Sequence, residues 1–274
     1  MLKSIVMMDL PIDDIAPMER WYYEAHSSEI SRRYGPWLQR HESYVALDAP
    51  EDARRFGFYN WRVTETFWRE MPEPGAKGAF CFTPAPVWNP VATCTVKAQP
   101  DDDFFGWDGF STQGASIRWY ILFRYPLGVR LNEGEDWFLN VHAPEVCKQP
   151  GLTRFFSSKC EQAAIPLPGM WHPDATPPQD MMMVQWDRVV ELWYPSFSAW
   201  REAVIDSPPA YTPPEWATDS FYGNSHPIYP FFKPGVDFVS TFLLERPSDE
   251  FLRDTRYYRP VSYTHLTLPT KRIV

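Results

Sequence analysis

The chain has no cluster of basic side chains: Lys and Arg number 26 against 35 Asp and Glu, for a net charge of −9. Nucleic acid and anionic membrane both demand clustered Lys and Arg, so neither is expected as the main partner. Long apolar runs are missing as well. The opening MLKSIVMMDLPIDD holds only a short apolar run, less than a signal-peptide core or a membrane span needs, and a soluble, cytoplasmic protein is expected. Cysteine is scarce. Cys81, Cys94, Cys147 and Cys160 form no CxxC pair, which argues against a zinc site or a disulfide framework and for buried free thiols. There is no GxGxxG after a strand, no GxxxxGK followed by Ser or Thr, no GxSxG and no HExxH. The usual local signals for nucleotide cofactors, serine hydrolysis and zinc proteolysis are therefore missing.

What the chain has in quantity is aromatic surface. Hydrophobic residues make up 44% and aromatics 17% of 274 residues, which suits either a large core or an aromatic-lined cavity. It also repeats itself. ERWYYEAHSSE, from Glu19, returns as EDWFLNVHAPE, from Glu135, an offset of 116 (135 − 19) that pairs Trp21 with Trp137, His26 with His142 and Glu29 with Glu145. A second echo, WRVTETFWRE from Trp61 and WYPSFSAWRE from Trp193, has an offset of 132 (193 − 61), as if a Pro-rich loop at 166–180 had been inserted. A divergent tandem duplication is expected.

Each half reads as strand, helix, strand, strand, helix, strand. In the first half KSIVMMDL is a buried strand, and APMERWYYEAHSSEISRRYG a helix with Pro17 near its start and Gly35 as its stop. PWLQRHESYVAL and FGFYNWRVTE follow as strands, TFWREM opens the second helix, and VATCTVKAQ closes the half. The second half runs in parallel through SIRWYILFRYP, GEDWFLNVHAPEVCKQPG, LTRFFSSKCEQA, RVVELWYP, SFSAWREAVID and DFVSTFLLERP. The boundaries read as repeat 1 at 1–100, an acidic aperiodic linker at 101–115, repeat 2 at 116–247 and an extension at 248–274. The last stretch, VSYTHLTLPTKRIV at 261–274, resembles the translation of a sequencing-library adaptor. On that reading the gene is environmental, its natural C-terminus is missing, and the segment is set aside.

A βαββαβ unit is the ferredoxin-like motif, whose bare sheet face must find a partner, and two copies can close face to face as a barrel. HAPEVCKQPGLTRFF, His142 to Phe156, resembles the EthD-like members of the dimeric α+β barrel superfamily, which carry His-x-Pro-Leu and then Gly-Leu-x-x-Tyr. Here His142, Pro144, Gly151 and Leu152 match, while Phe155 stands where Tyr is usual and Ser28 replaces the Pro in the first copy. The resemblance implies an α+β fold of tandem ferredoxin-like repeats forming a fused dimeric α+β barrel, as a monomeric pseudo-dimer or a homodimer. It implies a cofactor-independent isomerase, cyclase, dehydratase or oxygenase acting on a small aromatic, lactone or polyketide-like metabolite. No cofactor is expected; haem, used elsewhere in the superfamily through a proximal histidine, is a minor alternative. A non-catalytic small-molecule-binding or accessory barrel, supporting a catabolic redox system, is the rival reading.

His26 and His142 are the candidate bases. Each lies on an apolar helix stripe, with Glu29 or Glu145 three residues on to orient the ring and raise its pKa. The plain alternative is a duplicated packing pair. Trp21, Trp137, Trp61, Trp193, Phe155 and Arg124 are candidates for contacting substrate; the tryptophans read equally as core and Arg124 as a surface ion pair. His41 and Glu42 alternate on a strand, so only one faces inward. His172 and His226 sit in Pro-rich loops. Histidines in an enclosed, partly polar pocket would favour catalysis, and histidines shut into the helix–sheet interface would favour the accessory reading.

Overall fold

The computed structural model describes residues 1–71, 83, 85–87, 91–101, 103–109, 117–161, 184–217, 232, 236–246 and 249–252. The adaptor-like tail, Cys81, His172, His226 and the Pro-rich loop at 166–180 lie outside the described residues.

Among the described residues, two five-stranded antiparallel sheets carry the fold. In the first half β1 (Leu2–Met8) is the inner strand, between β3 (Arg62–Trp68) and β4 (Val91–Lys97), with β2 (Leu38–Val45) outside β3. The second half repeats this with β6 (Ile117–Phe123) between β8 (Arg188–Tyr194) and β9 (Phe238–Leu244), and β7 (Arg154–Lys159) outside β8. All seven residues of β6, IRWYILF, are buried, as expected of a strand covered on both faces. The chain is α+β, two ferredoxin-like sheets closed against each other.

The fifth strands are exchanged. Strand β5 (Phe105–Asp108) follows the first half but pairs with β7 of the second, and β10 (Asp249–Leu252) follows the second half but pairs with β2 of the first. The segment read as an aperiodic linker thus contains a strand whose partner lies in the other sheet. Two seams join the halves. Along one, Glu161 N donates to Thr95 O (2.7 Å) beside a Val96–Cys160 bridge; along the other, Leu47 N donates to Phe242 O (2.8 Å) and Tyr59 N to Ser240 O (2.7 Å).

On the outer face of the first sheet lie α1 (Ile15–Trp21), a π turn at Tyr22–His26 and α2 (Ser27–Tyr34). Over the second lie α3 (Leu131–Trp137), a π turn at Phe138–His142, α4 (Ala143–Val146) and α5 (Phe197–Arg201). Gly35 follows the helix end but stays right-handed (φ −43°), whereas Gly151 has φ +73°, a backbone that favours glycine. TFWREM does not open a helix: Thr66, Phe67 and Trp68 finish β3. There Trp68 pairs with Leu2 and Leu38, and its Nε1 donates to Ser4 Oγ (2.8 Å). Cross-strand pairing outweighs the local helical pattern.

Between the sheets, Ile5, Met7, Val63, Val96, Leu122, Val189, Val239 and Leu243 form an apolar core. A charged knot sits within it. Lys3 Nζ lies 3.1 Å from Glu65 and 3.5 Å from Glu191, while Arg118 lies 2.9 Å from Glu191 and 3.9 Å from Glu65. Tyr120 Oη donates to Glu65 (2.9 Å).

Candidate functional site

Of the three π turns among the described residues, those at Tyr22–His26 and Phe138–His142 set the geometry around the histidines, and the third, Glu202–Asp206, follows α5. A π turn adds a residue to one turn of helix and is frequent at functional sites. Here it carries each histidine back over a tryptophan five residues earlier. Trp21 and His26 stack with centroids 4.6 Å apart, Trp137 and His142 at 4.7 Å. Both histidines pack in the helix–sheet layer rather than between the sheets; for His142, which is shut in, that placement favours the accessory reading, whereas His26 is only half-buried.

The carboxylates three residues on hold loops. Glu29 accepts from Thr83 N (2.7 Å) and Oγ1 (2.8 Å), and Glu145 from Thr212 N (2.8 Å) and Oγ1 (2.6 Å). The same threonines accept at their carbonyls from Trp21 Nε1 (2.9 Å) and Trp137 Nε1 (3.1 Å). Tryptophan, glutamate and threonine thus make one clamp in each half, and each Thr stands in an aromatic-Thr-Pro triplet, Phe82-Thr83-Pro84 and Tyr211-Thr212-Pro213. Those triplets are the sequence signal for the clamp.

A second pair recurs beneath the helices. Arg62 is fully buried; its Nε and Nη2 donate to Glu19 (3.0 and 2.6 Å), its Nη1 to Ser43 Oγ (2.9 Å), and its guanidinium lies 4.4 Å over the Tyr22 ring. Arg188, also fully buried, donates to Glu135 (2.6 Å) and Ser157 Oγ (2.8 Å) and lies 4.7 Å over Phe138. Burial pushes the Glu135 carboxyl up, against the opposing pull of Arg188 and Tyr125, whose hydroxyl donates to it at 2.8 Å. The sequence reading missed both arginines. The signal was Arg-Val-x-Glu at Arg62 and Arg188, an offset of 126 (188 − 62), hidden by the Trp61/Trp193 echo. That echo does not align equivalent positions. Trp61 sits on the helix side and donates to Glu19 (2.7 Å), whereas Trp193 lies on the inter-sheet face of β8, 5.9 Å from the Arg118 guanidinium.

The halves differ most in the floor under the histidines. One row across the first sheet reads His41, Thr66, Ser4, Thr95; the matching row of the second reads Phe155, Leu192, Trp119, Phe242. In the first row His41 Nδ1 and Thr66 Oγ1 share a hydrogen bond (2.9 Å), and the Ser4 and Thr95 hydroxyls lie 3.3 Å apart. In the second the four side chains are apolar, and Trp119 stacks on Phe242 at 5.8 Å. The apolar packing follows suit. The second half has one large outer core, while the first has two small clusters, one around Tyr34 and Trp68 and one around Met18 and Trp61.

His142 is wholly buried, stacked on Trp137 and met at a tilt by Tyr211 (centroids 5.2 Å), and His26 is half-buried. Burial pushes both imidazoles down, His142 to about 3 and His26 to about 4, the latter against a smaller upward pull from Glu29; burial and His26 push His41 down to about 3. The near-neutral titration expected of His142 does not fit these surroundings. A depressed histidine pKa means that the unfolded chain binds protons the folded one refuses, so stability present above about pH 6.5 is lost as pH falls toward the folded values. The loss of urea resistance from about pH 6.5 to about pH 4 should be smaller in His142→Phe than in wild type. Equal losses would show that His142 takes up its proton as readily in the fold as in the unfolded chain.

Arg124 sits past the end of β6, donates to Val236 O (3.1 Å) and lies 3.9 Å from Asp237, the surface ion pair that was its plain alternative. Phe155 is fully buried in the outer core beside Phe105. Haem does not fit at His142, whose ring is enclosed by Trp137, Phe138 and Tyr211. Among the described residues no group of three or more His, Cys, Asp or Glu side chains is placed to hold a metal ion, and no helix is long and apolar enough to cross a membrane.

The fold and its two helix–sheet half-sites define a fused α+β barrel with one polar and one apolar floor. The family model of the chalcone isomerase N-terminal domain matches residues 1–80, a different family from the EthD-like one that the His-x-Pro motif resembles. No sequence match to a curated protein was found. Among solved structures, an anthrone oxidase-like protein aligns over 89% of this chain and 90% of its own, at 9% identity and TM-score 0.42. A mutant chlorite dismutase from Candidatus Nitrospira defluvii aligns over 88% and 90%, at 8% identity and TM-score 0.40. A monooxygenase-like protein from Lactobacillus acidophilus NCFM aligns over 73% and 79%, at 9% identity and TM-score 0.29.

Proposed function

We propose that this protein is a cofactor-independent isomerase-type enzyme for a small aromatic, chalcone-like compound, working in the first half with His26 as the group that moves the proton. The observation that carries the reading is the floor beneath His26, where His41, Thr66, Ser4 and Thr95 replace the phenylalanine, leucine, tryptophan and phenylalanine of the second half. Buried polar side chains are kept where they serve something beyond packing, because each costs desolvation that an apolar residue does not. The chalcone isomerase family match falls on the same half, and EthD-likeness points to the same cofactor-free chemistry.

Isomerisation takes a proton from one atom of a molecule and returns one to another. A neutral imidazole suits both halves of that exchange, since it can accept at one nitrogen and donate at the other. His41, tied through Nδ1 to Thr66, is the second imidazole of the floor and orients the substrate's oxygen. Tyr22 and Trp21, packed against His26, wall the aromatic portion. The second half, with His142 sealed beneath Tyr211, is the scaffold.

The test is turnover of hydroxylated aryl enones, followed by loss of their near-ultraviolet absorbance, in wild type, His26→Phe and His142→Phe. His26→Phe should lower kcat/KM by about 100-fold or more, and His142→Phe by only a few-fold. A larger loss in His142→Phe would put the chemistry in the other half. Saturable enone binding without turnover by wild type would replace this reading with the small-molecule-binding one.

A further inference from the structure

Cys94 lies on β4 of the first half and Cys160 just past the end of β7 of the second, where the two sheets meet along one seam. Val96 bridges Cys160 in antiparallel fashion, and Glu161 N donates to Thr95 O at 2.7 Å. Cys94 is two residues from Val96, so both point to the same face, and that face is the inter-sheet core to which Cys160 also belongs. Cys94 is therefore the diagonal neighbour of Cys160 across this antiparallel pair, and both thiols lie on the same inter-sheet face of the seam. Both are free thiols in the structure. The corresponding positions of the other seam are Thr241 and Ala46, so the pair belongs to one seam only. Cys147 packs with the outer core on the far side of the second sheet.

We propose that Cys94 and Cys160 are a modification site: a reversible disulfide, formed by a small-molecule disulfide of the glutathione type, that staples the two halves across this seam. Cys94 is half-buried and Cys160 is 3% exposed, so the reagent meets Cys94 first. The Cys94 thiolate attacks oxidised glutathione, forming a mixed disulfide and releasing one glutathione thiol. The Cys160 thiolate then attacks the Cys94 sulfur, closing the protein disulfide and releasing the second glutathione thiol. Two protein thiols lose two electrons and two protons, and one glutathione disulfide takes them up. Burial and the adjacent Cys94 thiol hold the Cys160 thiol well above its ordinary range, so the closing step is slow at neutral pH and speeds up as pH rises.

The experiment exposes the full folded chain to oxidised glutathione, alkylates the remaining thiols, digests without reduction and weighs the peptides. Wild type and the Cys81→Ser/Cys147→Ser variant should yield a linked peptide pair containing Cys94 and Cys160, faster at about pH 9 than at about pH 7, with a thermal midpoint several degrees higher that dithiothreitol reverses. Cys94→Ser, at the half-buried position, should yield neither the link nor the shift. Glutathione stopping as a stable mixed disulfide on Cys94, or a link made through Cys81 or Cys147, overturns the proposal. So does a thermal shift that persists in Cys94→Ser.

Discussion

Replacing Arg188 with Met is expected to lower unfolding free energy by about 3–5 kcal/mol, the range for breaking one side of a buried ion pair. Arg188 is fully buried, and the Glu135 side chain is only 10% exposed. With the guanidinium gone, Glu135 keeps the Tyr125 hydroxyl at 2.8 Å but loses its hydrogen-bonded cation, leaving only the weaker pull of Lys159, and burial already pushes its carboxyl up. The twin in the first half supplies the control. Arg62 is equally buried, but the Glu19 side chain is 29% exposed and keeps a donor in Trp61 Nε1 at 2.7 Å, so water and indole can take over the charge. Arg62→Met should therefore cost less than Arg188→Met, and Glu135→Leu combined with Arg188→Met should recover part of the loss. Urea unfolding of the variants measures all of this. Equal costs in the two halves would sink the argument from exposure.

The second large effect is expected at Glu65. This carboxylate is the meeting point of Lys3, Arg118 and Tyr120, and Glu65→Leu leaves two cations sharing Glu191 alone. The expected cost is again about 3–5 kcal/mol. Burial works against the charge on Glu65, but Lys3 and Arg118 prevail and bring its pKa down to about 2. A depressed carboxylate contributes stability above its unfolded value of about 4.3 that is lost as pH falls through the folded one. The penalty of Glu65→Leu should therefore be full at neutral pH and shrink between about pH 4 and about pH 2. A penalty below about 1 kcal/mol, or one indifferent to pH, would mean that the knot contributes little to joining the halves.

Much of this architecture is legible in sequence because local pattern and final burial agree. The apolar runs of β1 and β6, the twinned Trp-x4-His helices and the strand at VATCTVK all lie where their patterns put them. The misreadings have a common cause, information held by a distant partner. TFWREM resembles a helix start until Trp68 is placed beside Leu2 and Leu38. Phe105–Asp108 is four residues long and polar at one end, with nothing local to say that it completes a sheet elsewhere. The site was half legible. The histidines stood out by recurrence, but the polar floor is spread over four strands, and only the cross-strand register assembles His41, Thr66, Ser4 and Thr95 into a row. Glu29 and Glu145 are twins in sequence and in structure, and their carboxylates hold Thr83 and Thr212.

The exchanged strands also govern the order in which the molecule can be assembled. On a ribosome the first half emerges with β1 to β4 in hand, yet the edge of β2 is covered only when Asp249–Leu252 arrives, some two hundred residues after Ser43, with which Asp249 pairs. Until then that edge is an open template for any other extended chain, including a neighbouring nascent copy. Such long-range closure is slow, because the entropy of bringing distant segments together is lost before the contacts return it. The last of the described strands to leave the ribosome thus completes the first sheet begun, and the interval between them is when this protein most needs shielding from its own kind.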